Sequence, residues 1–251
     1  MTSGTQPKSP GALSGLRVID FGQRVSAPHC ARLFADYGAD VIKVEPPAGD
    51  AARSSGPYPG DIPDRERSGL FFFHNTNKRG VTCNIAHPEG RRLFLELVSQ
   101  ADVLVENNLP AQMREWKLDY ATLAAHNPRL VMISITPFGQ TGPYSEWNGC
   151  DLNAYHLSGA SARYCGRPHE MPLEHGTFSA DYFGSVTAAA WGLGAVFGRD
   201  LVGVVRLGEH EPGDEGPERQ RQVAGVGQRR RAEGHAERGQ REELAAPGPG
   251  H

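Results

Sequence analysis

The chain has 251 residues, a formal net charge of −3 and a hydrophobic content of 38%, a length that allows one large domain or two small ones. So even a charge balance excludes the broad basic field that nucleic acid or an acidic membrane surface would attract. Four cysteines without a C-x-x-C pair, Cys30, Cys83, Cys150 and Cys165, argue against a disulfide framework or a zinc site and for reduced thiols in the cytoplasm.

Residues 1–12 form a polar leader with no apolar signal core, expected to be disordered. LRVIDFG (residues 16–22) reads as a short strand ending in glycine. Pro28 then lies near the first turn of a helix that runs through Cys30, Leu33 and Phe34 and stops near Gly38. ADVIKVE (39–45) returns as a strand, so the segment is a βαβ crossover and favours a parallel sheet. Residues 46–70, rich in Pro, Gly and charge, are expected to be one long loop.

The rhythm continues with a strand at KRGVTCNI (78–85) and an amphipathic helix from Pro88 to Gln100. ADVLVEN (101–107) is a strand, LDYATLAAHNP a short helix, and RLVMISITPFG (129–139) a buried strand. Alternation of this kind indicates an α/β, Rossmann-like layered domain with a parallel sheet, over residues 13–198. DLNAYHLSGAS and SADYFGSVTAAAWGLGAVF (179–197) read as helices. No apolar run reaches the roughly 20 residues that span a bilayer.

Residues 199–251 read as an aberrant low-complexity tail that does not pack. Beyond residue 200 only Leu, Val, Gly, Arg, Glu, His, Pro, Asp, Gln and Ala occur. These are the amino acids whose codons begin with G or C, which is what a frame slip in a GC-rich gene would produce. The expectation is an out-of-frame segment beginning between about Gly198 and Arg206; an in-frame disordered tail is the alternative.

Several segments carry candidate chemistry. FGQRVSAPHC occupies the first βα turn, where a doubly wound fold places its ligand crevice, but it lacks the G-x-G-x-x-G dinucleotide fingerprint. Glu45 ends a strand and is either a ribose-binding acid or a solvated strand end. In NTNKRG (75–80), Lys78 and Arg79 are either phosphate ligands or exposed strand-end charges. Asp181, at the start of a long apolar helix, is either a helix cap or a carboxylate nucleophile. The ten histidines, His29, His74, His126 and His156 among them, offer no metal set, and there is no G-x-S-x-G elbow.

Taken together, LSGLRVIDFG, LFADYGADVIKVEPPAGDAAR, NTNKRGVTCNI, PEGRRLFLELVSQADVLVEN, PRLVMISITPFGQTGPY and SADYFGSVTAAAWGLGAVFGRD resemble the class III CoA-transferases in order and spacing. The resemblance implies CoA transfer between an acyl-CoA thioester and a carboxylic acid, through an aspartyl anhydride and an aspartyl-CoA thioester. It puts the nucleophile on Asp181 and CoA contacts on Val25, Ser26, Ala27, Asn77, Lys78, Asn107 and Arg114. Coenzyme A enters as substrate, with no tightly bound cofactor and no metal. The family's homodimer is implied as well.

A racemase branch of the same superfamily carries a histidine directly before its D-[IL]-N segment, where this chain has Cys150 before Asp151–Leu152–Asn153. The resemblance covers residues 13–200 of a family whose members run to about four hundred, and R-x-G-x-G-Q is replaced by GRDLVGVVRLG. A non-catalytic remnant of the family is therefore the competing reading.

Overall fold

A computed structural model of the chain describes residues 11–160, 169, 171, 173 and 176–202. Most of the leader, Cys165 and the low-complexity tail from residue 203 onward lie outside the described residues.

Five strands form one parallel sheet: β1 (Arg17–Asp20), β2 (Asp40–Glu45), β3 (Arg79–Thr82), β4 (Val103–Glu106) and β5 (Val131–Ser134). Their order is β3-β2-β1-β4-β5. Val18 pairs with Val41 on one side and Val103 on the other. The chain winds outward from β1 through β2 to β3, then crosses back to β4. The carboxyl ends of β1 and β4 thus flank the switch point, where open α/β sheets keep their ligand crevices.

Helices cover both faces. On one face, α1 (Ser26–Asp36) and α7 (Ser179–Val202) enclose Val18, Val41, Val103, Val105 and Ile133 with Cys30, Phe34, Ala189 and Val196. On the other, α3 (Pro88–Ser99), α4 (Pro110–Glu115) and α5 (Tyr120–His126) bury Ile19, Ile42, Val44 and Leu104 against Phe94, Val98, Met113 and Leu123. Successive residues such as Val18 and Ile19 serve opposite faces. That double burial is why these strands read as continuous apolar runs.

Local rules explain the helix ends. Pro88 occupies the first turn of α3, where its missing N–H has no helical partner to lose. Gly192 lets α7 lie close on the sheet, because a Cβ there would meet Ile133 Cδ1 at 2.2 Å.

One expectation needs correction, and two helices add to the sequence reading. Residues 46–70 are not one loop: they contain 3-10 turns at Ala51–Ser54 and Pro59–Asp61, and α2 (Gly69–Asn75) starts within them. A helix of one apolar run without 3.6-residue periodicity leaves little sequence signal; its start is set by Ser68, whose hydroxyl accepts from the Phe71 N–H at 3.2 Å. Helix α4 follows Asn107 with no warning beyond Pro110. Helix α7 runs to Val202, five residues beyond the helix read at 179–197. Arg199 holds this last turn, with 3.0 Å to the Arg129 carbonyl and 3.2 Å to the Asp102 carboxylate.

Candidate functional site

The turn after β1 and the residue after β4 meet at the switch point. Asn107 Oδ1 accepts from the Gln23 N–H at 2.9 Å, and its Nδ2 donates to the Gln23 carbonyl at 2.8 Å and to Ser26 Oγ at 3.0 Å. Gly22 makes room for this: a Cβ there would strike Ala27 Cβ at 2.2 Å and Asn107 Oδ1 at 3.0 Å.

Ser26, in the first turn of α1, is also the neighbour that most favours the ionised form of Asp181. The half-buried Asp181 is the third residue of α7. Burial pushes its pKa above the ordinary carboxylate value and the Asp151 charge adds to the rise, while the Ser26 hydrogen bonds and Arg24 work the other way.

Asp181, Ser26 and Asn107 line one cavity of about 760 Å³. Arg24, Thr136, Cys150 and Asp151, the last two from the start of α6 (Asp151–Leu157), complete its polar wall. Sequence reasoning passed over Arg24, Thr136 and Asp151 as cavity residues. Arg24, at a left-handed φ of 64°, and Asp151, in a D-L-N segment weighed only for a neighbouring histidine, were the available signals.

Val25 and Ala27 flank Ser26 but are turned into the core, 1% and 0% exposed. Asn77 donates to Asp36 at 2.7 Å. Arg114 is exposed and paired with Glu146. None of these four lines the cavity.

Lys78 needs a correction of its own. It is not an exposed charge: its ammonium is buried and donates to Asp20 at 2.7 Å, the Pro28 carbonyl at 2.7 Å and Asn75 at 2.9 Å. Three bonds use all of its hydrogens. Lys43 joins the same cluster, 2.8 Å from Asp50 and 3.6 Å from Asp20. Burial alone would raise the Asp20 pKa, but Lys43 and Lys78 hold it below its ordinary value. Asp50 in turn accepts from the Arg24 N–H at 2.9 Å. The buried charges thus brace the turn that presents Arg24 and Ser26.

Glu45 is likewise neither solvated nor free. Arg53 grips it with two bonds of 2.7 and 2.9 Å, and the Asp50 N–H adds a third at 2.9 Å. Behind the cavity, His74 Nδ1 donates to the Leu70 carbonyl at 2.8 Å and Nε2 accepts from the Tyr182 hydroxyl at 3.1 Å. Among the described residues no cluster of His, Cys, Asp and Glu is arranged to hold a metal ion, and no helix is long and apolar enough to cross a membrane.

Comparison with known proteins places this geometry in a family. Residues 13–205 match the model for CoA-transferase family III. The chain is 43% identical over 173 residues to a succinyl-CoA–L-malate CoA-transferase beta subunit of Chloroflexus aurantiacus, covering 68% of this chain and 41% of that protein. It is 39% identical over 180 residues to a succinate–glutarate CoA-transferase of Agrobacterium fabrum, covering 70% and 45%. Among solved structures, a CAIB/BAIF family protein from Brucella suis superposes with a TM-score of 0.71 at 33% identity, over 79% of this chain and 52% of that one. The chain spans about half the length of the curated relatives it matches.

Proposed function

Since the chain belongs to CoA-transferase family III, we propose that it moves CoA from an acyl-CoA thioester to a carboxylic acid, with Asp181 as the acyl-accepting nucleophile. The observation that carries this reading is the Asp181 carboxylate itself, half-buried and lining one cavity at the switch point with the hydrogen-bonded Asn107–Ser26 pair.

The steps follow from its chemistry. An Asp181 oxygen attacks the thioester carbonyl, the C–S bond breaks, and CoA thiolate leaves a mixed anhydride on the enzyme. The thiolate then attacks the aspartyl carbonyl and expels the donor acid as its carboxylate, leaving an aspartyl-CoA thioester. The acceptor carboxylate displaces the thiolate to give a second anhydride. Attack of the thiolate on the acceptor's carbonyl releases the new CoA ester and regenerates Asp181. A carboxylate with a raised pKa is more basic than a solvated one and so a better nucleophile once ionised, which supports this assignment.

Ser26 and Asn107 hold the nucleophile, and Val25 and Ala27 keep the turn rigid beneath the substrate. Lys78 and Asn77 act from below, through the buried charges and Asp36. Arg114 is exposed within reach of solvent and suits a CoA phosphate. A smaller cleft of about 200 Å³ beside the same turn, lined by Pro46, Cys83, Asn108 and Trp116, suits the nucleotide end of CoA. Relatives named for succinyl-CoA with malate, mesaconate or glutarate partners point to small dicarboxylic acids. Arg24, a cation in the cavity wall, fits the second carboxylate of such a substrate. Cys150 lines the cavity where the racemase branch would carry its histidine, which supports transfer over racemisation.

The test is intact-mass spectrometry of the full chain incubated with an acyl-CoA panel that includes succinyl-CoA, with Asp181→Ala as control. A hydroxylamine-sensitive acyl or CoA adduct absent from the variant is the expected result. No adduct, or the same adduct on Asp181→Ala, overturns the assignment and favours a non-catalytic member of the family.

A further inference from the structure

Helix α7 begins without a cap from its own chain neighbour. The residue before it, Phe178, has a left-handed φ of 64° and no side-chain oxygen. Helix starts favour Ser, Thr, Asp or Asn at that position, because the side chain accepts the N–H of the second or third helical residue. In α7 those donors belong to Ala180 and Asp181. Both are taken by Asp151, whose Oδ1 accepts from Ala180 at 2.6 Å and from Asp181 at 3.3 Å. The acceptor is the first residue of α6, 29 positions upstream.

We propose that Asp151 is a positioning residue for Asp181: it supplies from α6 the cap that α7 lacks, and so fixes the turn that presents the nucleophile. This rests on the reading of Asp181 given above. Three features support it. The contact reaches the Asp181 backbone itself, so loss of the cap frees the residue whose carboxylate must meet the thioester. The carboxylate is further suited to its place because a helix N-terminus stabilises negative charge. Its other oxygen, Oδ2, is buried without a hydrogen-bond partner among the described residues, so nothing else accounts for its position in the cavity wall.

The same placement couples the two carboxylates electrostatically. Asp181 is faced by Ser26 from α1, Arg24 from the β1–α1 turn, and Asp151 from α6, with Tyr182 beside it on α7. After burial, the Asp151 charge is what keeps the Asp181 carboxyl protonated to higher pH. Asparagine at 151 would keep the acceptor oxygen and remove the charge, whereas alanine would remove both. The two substitutions therefore separate geometry from charge.

The experiment is residue-resolved amide exchange on the full-length chain by NMR, joined to adduct kinetics. In the wild type, the Ala180 and Asp181 amides are expected to be protected although neither has a partner inside the helix. Asp151→Ala is expected to speed their exchange about fivefold or more, the effect of losing a typical cap, while Asp151→Asn leaves them protected. Asp151→Ala is also expected to slow adduct formation at saturating acyl-CoA without changing half-saturation. Asp151→Asn should restore the rate and move the acid limb of its pH profile downward. Freely exchanging amides in the wild type overturn the inference without any variant, so it stays decidable even if Asp151→Ala fails to fold. Unchanged exchange in a folded Asp151→Ala protein overturns it as well. A wild type that forms no adduct but shows protected amides, released by Asp151→Ala, rejects the nucleophile and retains the cap.

Discussion

Asn107 donates to the Ser26 hydroxyl over 3.0 Å across 81 positions of chain. Ser26 in turn favours the ionised form of Asp181. A neutral amide, a hydroxyl and a carboxylate thereby line one cavity at the switch point.

Removing the middle link should be felt through the proton. Ser26→Ala removes a hydroxyl that favours the ionised form of Asp181, so the carboxyl pKa rises further and the reactive species becomes scarcer on the acid side. Adduct formation there should slow about tenfold, the equivalent of a hydrogen bond to a charged group of ~1.5 kcal/mol. The pH–rate profile checks it: an acid limb that stays in place would show that the serine does not act on the aspartate.

Asp181 should also cost the fold stability. Its folded pKa lies above its ordinary value, burial being the main cause. The group therefore favours the native state below its unfolded pKa, and that contribution is lost as pH rises through the folded value. Asp181→Asn should melt at a higher temperature than the wild type at pH 7, with the gain vanishing in acid. Equal melting temperatures at both pH values would contradict the desolvated carboxylate.

Lys78 gives a sharper choice between ligand and brace. Lys78→Met leaves Asp20 with a weaker hold from Lys43, 3.6 Å away, inside the core. Losing one partner of a buried ion pair should destabilise the chain by about 3 kcal/mol, measured by urea denaturation. A variant of undiminished stability with weakened CoA binding would return the lysine to the phosphate role that the sequence suggested.

Acid sensitivity should come partly from His29. Burial, followed by the charges of His74, Arg32 and Lys78 with Asp36 opposing, lowers its pKa from 6.5 to about 4. A depressed histidine contributes stability that is full above pH 6.5 and lost as pH falls toward 4. Allowing for its partial exposure, the loss should be about 1–2 kcal/mol. His29→Phe should flatten the stability curve in that window; a curve of unchanged slope would count against it.

Much of this architecture is legible in the residues themselves. The βαβ rhythm, Pro88 at the head of α3 and the apolar strands all follow from local rules that act within a few positions. Local rules left Asp181, a charge opening a long apolar helix, as either a cap or a nucleophile, and only the family resemblance chose between them. What stayed hidden depended on distant partners. Helix α2 has no periodic pattern, and its cap Ser68 is itself anchored to the Ala52 carbonyl at 2.7 Å. Glu45 looked solvated until Arg53 was brought onto it.

The sequence by itself determined a parallel α/β layer, because periodicity is local, while its resemblance to the class III CoA-transferases put the nucleophile on Asp181 at the start of the last described helix. Only the tertiary structure decided what each charge does. Lys78 donates to Asp20, Pro28 and Asn75, and Asp181 shares a cavity with Ser26 while Asp151 accepts from the first turn of its helix. The physical reason is that a charge takes its role from burial and from its nearest partners, and strand order 3-2-1-4-5 brings those partners from far along the chain.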